Sequence, residues 1–177
     1  MERDARFYLE LIDHVTREVA EWSVLTYCLM PNHVHLVVDA TVNELSLAMH
    51  RLNGLYAQRF NREYGYRGHL FQGRFHAKPI HDEAHLPGSI RYVVLNPVRA
   101  GLCAHPSHWR WSSYRACAGL QPASAFLDRE RVHAIFGADE TAAGASFCAF
   151  VEGGFAPAPT RGQSPGLSPT RAAPASS

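Results

Sequence analysis

Residues 23–39 hold two short β-forming runs, Ser23 to Leu29 and His33 to Asp39, separated only by Met30-Pro31-Asn32. A break this short, carrying proline and asparagine, is a turn, so the two runs form an antiparallel hairpin. In a strand, residues i and i+2 share a face and lie about 6.5 Å apart. His33 and His35 therefore share one face, while Val34, Leu36 and Val38 turn the other way, toward a hydrophobic core. Two imidazoles on one face can converge on a single metal ion, because each His–metal bond is only about 2.0–2.1 Å. Taken alone, a His-x-His pair more often marks the solvent side of a half-exposed strand. The rest of the chain has to decide.

The hairpin is framed by helical patterns. Phe7, Leu11, Val15, Val19 and Trp22 recur at helical spacing, so Asp4 to Trp22 reads as a helix with Asp4 at its start. Asn43 to Tyr64 reads as a second helix, with Leu45, Met49, Leu52, Leu55, Tyr56 and Phe60 as its buried stripe. Gly65 to Gly73 is a glycine-rich loop. Arg74 to His81 reads as a strand, at an edge or bulged, because Pro79 has no backbone donor. A short helix follows, with Pro87 in its first turn and Pro97 marking its end. Trp109 to Ala118 reads as loop leading into helix, and Arg129–Phe136 and Ala145–Val151 as short helices. Helix, hairpin, helix, strand is an α+β, ferredoxin-like (RRM-like) order: an antiparallel sheet with helices on one face, lacking its opening strand. Three regions follow: a main domain at 1–118, a helical extension at 119–154, and a Pro/Ala/Ser-rich tail at 155–177, expected to be disordered.

Charge is unevenly spread. Residues 41–115 hold ten Lys/Arg against four Asp/Glu, while residues 1–40 hold three against seven. Nine of the eleven histidines lie between His33 and His108. A basic middle segment suits a polyanion site and equally suits an unevenly charged surface. No apolar run approaches the roughly 20 residues of a membrane helix, and the charged start does not read as a signal peptide. Cys28, Cys103, Cys117 and Cys148 form no Cys-x-x-Cys pair, so reduced thiols and a cytoplasmic location are expected.

A second chemical candidate is Tyr92 with Asn96, four residues apart and so on one helix face. A phenol has a pKa near 10 and is a poor nucleophile at neutral pH, so attack on a phosphodiester needs the phosphate polarised and held in line. A divalent metal on His33 and His35 would supply that, with Asn96 as a third, oxygen ligand. Read singly, Tyr92 is a half-buried aromatic and Asn96 a helix-end residue. His81 and His85 also sit four apart, but glutamate does not follow the first histidine and Pro87-Gly88 interrupts, which argues against a zinc-protease helix. Phosphate-binding glycine loops, dinucleotide fingerprints and a nucleophile elbow are absent from the sequence.

Four blocks together resemble one family. Tyr27-Cys28-Leu29-Met30-Pro31-Asn32-His33-Val34-His35-Leu36 resembles the signature block of REP-associated tyrosine transposases, members of the single-tyrosine HUH transposases. Gly68-His69-Leu70-Phe71-Gln72-Gly73-Arg74-Phe75 resembles their glycine-rich loop. The stretch Arg91-Tyr92-Val93-Val94-Leu95-Asn96-Pro97-Val98-Arg99-Ala100-Gly101-Leu102 resembles their tyrosine block, and Trp111-Ser112-Ser113-Tyr114 a following motif. The likeness runs from about Arg3 to Gly153. The family pattern has a strand before the first helix, which is not found here.

The resemblance implies an enzyme that cleaves and rejoins single-stranded DNA beside hairpins, at repetitive palindromes or insertion-sequence ends. Tyr92 would be the nucleophile, giving a 5′-phosphotyrosine link. His33 and His35 would bind Mg²⁺ or Mn²⁺, with Asn96 completing the metal site. Arg67, His69, Gln72, Arg74, Lys78, Arg91 and Arg99 would contact DNA. The protein would act as a monomer or homodimer. The alternatives are a non-catalytic or domesticated nucleic-acid-binding module, and an inactive remnant of such a transposase.

Overall fold

The computed structural model describes residues 2–137 and 139–155. Most of the expected tail, from residue 156 onward, lies outside the described residues. Phe155 does not: its ring stacks on His105, with centroids 5.6 Å apart.

Helix α1 spans Glu2–Glu18 and buries Tyr8, Leu11, Ile12 and Val15, a single helical stripe. It ends earlier than its apolar spacing suggests. Glu21 takes a left-handed φ of 52°, so the chain turns and Trp22 opens strand β1, Trp22–Leu29. Strand β2, Val34–Ala40, returns antiparallel, with Cys28 opposite His35 and Leu29 opposite Val34. Register slips between Val24 and Thr26, which leaves Leu25 as a bulge. Val34, Leu36 and Val38 do pack against the core, though only half-buried, while Val37 on the histidine face is fully buried.

Helix α2, Val42–Tyr64, starts on Thr41, whose hydroxyl accepts from the Glu44 amide, and stops on left-handed Gly65. Its expected stripe is only partly covered. Ala48 and Leu52 are buried, Leu45, Met49, Tyr56 and Phe60 are half-buried, and Leu55 is exposed. The expected strand at 74–81 is not formed: residues 74–80 have no regular structure. In a ferredoxin-like sheet the closing strand pairs with the opening one. Among the described residues no strand stands on the outer edge of β2, so 74–81 has no ladder to join, and Pro79 offers no donor.

Helix α3, Leu86–Arg99, follows a 3₁₀ turn at Glu83–His85 capped by the Asp82 carboxylate. It passes through Pro97 instead of ending there. Proline falls in the last turn, and a Schellman cap completes the helix beyond it. Gly101 N–H donates to the Val98 carbonyl and Leu102 N–H to that of Pro97, with Gly101 at φ 69°.

The far edge of β1 is covered by residues 111–113. Leu29 N–H donates to the Trp111 carbonyl (2.8 Å) and Ser113 N–H to that of Tyr27 (3.0 Å), bridging Cys28 to Ser112. The short helix α4 is Tyr114–Cys117. Helix α5, Arg129–Phe136, coincides with its sequence expectation, and α6, Glu140–Glu152, is longer than expected because Asp139 caps it early. Phe126, Leu127, Val132, Phe147 and Val151 join the same hydrophobic core as β1 and α3, so the C-terminal helices share one interior with the rest. The fold is α+β. All four cysteines are free, and no described helix is long and apolar enough to cross a membrane.

Candidate active site

The hairpin turn closes tightly, with the Met30 N–H donating to the His33 carbonyl at 2.8 Å. That places His33 at the exposed end of β2 and His35 two residues in, half-buried. Their side chains converge: the two Nε2 atoms are 2.9 Å apart. Asn32 adds a contact that the sequence reading did not assign. Its Oδ1 lies 2.7 Å from His33 Nδ1. An amide oxygen only accepts, so Nδ1 carries the hydrogen, and in the neutral ring Nε2 is the acceptor of the hydrogen bond from His35 Nε2. Burial, and then the positive charge that His33 would carry, both hold the His35 pKa below its ordinary value, which favours the neutral ring.

Helix α3 packs against both strands and brings Tyr92 over the histidines. The Tyr92 ring stands edge-on to His35, with centroids 5.8 Å apart, and is 51% exposed, so its face is open to a ligand. Asn96, one turn on, donates its Nδ2 to the Tyr92 carbonyl at 2.8 Å, which leaves Oδ1 as the acceptor of that side chain. Arg99, a further turn along, holds its guanidinium 5.2 Å from the Tyr92 ring centre. His33, His35 and Tyr92 thus meet, with Asn96 and Arg99 following on the Tyr92 helix.

The remaining sequence candidates lie elsewhere. Arg91 is turned onto α6, with its guanidinium 4.4 Å from the Phe150 ring centre and bonded to the Phe150 carbonyl. Arg67, His69, Gln72, Arg74 and Lys78 are all exposed on the segment between α2 and α3. Among the described residues, no contact ties them to the histidine pair. His81 and His85 are exposed beside the 3₁₀ turn.

The donor set tests whether an ion fits. Among the described residues no three His, Cys, Asp or Glu side chains cluster to hold a metal. Two imidazoles do. The two Nε2 atoms, 2.9 Å apart, share one hydrogen bond, and loss of that proton would leave two imidazole nitrogens facing one position.

The sequence pattern of one family, the IS200-like transposases, matches residues 2–94, just over half of the chain. The chain belongs to the IS200-like transposase family. The matched stretch of this transposase takes in the histidine pair and Tyr92 and stops two residues short of Asn96. Membership implies transposase activity and DNA as the partner. No curated protein and no solved structure matches the chain.

Proposed function

We propose that this transposase cleaves and rejoins single-stranded DNA at hairpin sites through a covalent link to Tyr92, with a divalent metal at His33 and His35. The observation that carries the reading is the convergence of the two Nε2 atoms beneath an exposed tyrosine ring. His33 and His35 would hold Mg²⁺ or Mn²⁺, with Asn96 Oδ1 as a further oxygen donor. When bound, the metal supplies Lewis-acid polarisation of the scissile phosphate.

The chain's own groups do the rest. Tyr92 Oη forms a bond to phosphorus as the bond from phosphorus to the 3′-oxygen breaks. The phenolic proton is lost, and the departing 3′-oxygen takes one up as a free hydroxyl. Rejoining is the same exchange in reverse and needs no nucleotide hydrolysis, because one phosphoester replaces another. Asn96 ties its turn of helix to the Tyr92 carbonyl, and Arg99 sets positive charge beside the ring on which negative charge develops. Arg67, His69, Gln72, Arg74 and Lys78 supply donors for backbone phosphates, and the protein acts as a monomer or homodimer in the cytoplasm.

The test is incubation with end-labelled hairpin DNA and Mn²⁺, followed by a denaturing gel. The protein should carry label as a covalent adduct, and Tyr92→Phe should bind the hairpin without forming one. Absence of an adduct from the intact protein, where a related transposase forms one in parallel, would overturn the reading. Hairpin binding that survives chelator and His33→Ala, without any adduct, would instead mark a non-catalytic binding module.

A further inference from the structure

The side of α2 that faces away from Ala48 and Leu52 carries small and polar residues: Ser46, His50, Asn53, Gly54 and Ala57. Residues 68–75 lie across that side, bonded to it at Asn61 and reaching round to Tyr56 at the edge of the buried stripe. Asn61 Nδ2 donates to the Gly68 carbonyl at 3.1 Å, and the Phe71 ring stands 6.2 Å from Tyr56. Between helix and loop runs an open trough of about 670 Å³, whose far wall includes His69, Phe71, Arg74 and Phe75.

Three features of this trough point to one kind of occupant. No acidic side chain lines it, while Arg74, His50 and His69 do. That is the electrostatic lining a phosphodiester needs. Phe71 is 40% exposed and Phe75 half-buried, and both aromatic residues line the trough. Glycine at position 54 is the third. An interior helical glycine weakens a helix relative to almost any residue but proline. A Cβ built on Gly54 would meet nothing within 4 Å, and its φ is not left-handed. Neither packing nor backbone conformation requires glycine there. What it does is keep the floor of the trough open.

We propose that this trough holds a nucleotide or two of unpaired DNA, with bases stacked on Phe71 or Phe75 and phosphates on Arg74 and the two histidines. The volume lies within the range of small-ligand pockets, about 300–1,000 Å³. A base paired in a duplex has both faces covered by its neighbours and presents no free face to a phenyl ring, so the occupant is the single-stranded part of the substrate. The inference rests on the DNA-handling reading above and names the part of the partner that α2 takes.

The test compares a short oligothymidine with a length-matched abasic oligonucleotide, by fluorescence anisotropy at one fixed salt concentration. The intact protein should bind the oligothymidine roughly tenfold tighter, the effect of one stacked base. Gly54→Leu should melt no lower than the parent, bind the abasic strand as before, and lose the preference for bases. His50→Glu, at an exposed position that cannot disturb the core, should weaken binding of both strands. Equal binding of the two strands by the intact protein, or a preference that survives Gly54→Leu, would overturn the proposal. The Tyr92 adduct is read separately. An adduct without base preference sinks the trough alone, and a base preference without an adduct sinks only the chemistry.

Discussion

Asn32 lies exposed in the hairpin turn, and its amide oxygen accepts from His33 Nδ1. A free imidazole exchanges between two tautomers, and only one of them offers the Nε2 lone pair that faces His35. Fixing that tautomer is a positioning role, and it can be separated from folding because Asn32 is exposed. Asn32→Ala should lower Mn²⁺ affinity roughly 10–100-fold, the usual effect of removing a partner that orients a ligating histidine, with an unchanged melting temperature. Asn32→Asp keeps an accepting oxygen and should retain the affinity. Titration calorimetry with Mn²⁺ on the three proteins decides it. Equal affinity in all three would show that the hairpin backbone alone sets the ring.

Among the elements, the short pairing of 111–113 on β1 explains why two serines are buried. Ser112 and Ser113 are fully inaccessible, and the Ser113 hydroxyl bonds to that of Thr26 and accepts from the Tyr27 amide. Ser113→Ala leaves the Thr26 hydroxyl without its partner in a dry interior and should cost about 1–3 kcal/mol. Adding Thr26→Val removes the orphaned group, so the double variant should be more stable than the sum of the two single changes. Urea denaturation of the four proteins measures the coupling, and strict additivity would show that the two hydroxyls do not act as a pair. The sequence could not reveal this. Trp111 to Tyr114 stood out only by resemblance, and nothing in a four-residue stretch says that its backbone will meet a strand more than 80 residues away. Arg91 was illegible for the same reason, since its partner Phe150 lies 59 residues on. By contrast, His33 with His35 and Tyr92 with Asn96 were legible because the strand and helix periods fix them locally. The segment 74–81 was misread because a strand is a property of two chains side by side, and residue preference speaks for only one of them.

At the scale of the whole molecule, one core ties β1 to the C-terminal helices, and two thiols are sealed inside it. Burial pushes the Cys28 and Cys117 thiols up to about 12 from an ordinary 9.0, and the Tyr27 phenol up to about 12 from 10.0. These acids are neutral when protonated, so a raised folded pKa means that the folded chain keeps protons the unfolded chain releases. Stability from this source is complete below the unfolded values and is lost as pH rises from about 9 toward 12. Each thiol contributes a decline of roughly 1.4 kcal/mol per pH unit in that window, and Tyr27 adds to it above pH 10. Urea midpoints measured from pH 8 upward should therefore fall steeply beyond pH 9. In the Cys28→Ala, Cys117→Ala protein, less stable at neutral pH because two packed sulfurs are gone, the curve should be flatter between pH 9 and 10, where these two thiols, ahead of Tyr27, titrate in the unfolded chain. Parallel curves for the two proteins would mean that both thiols ionise as readily in the folded chain as in the unfolded one, and that the interior around β1 admits water.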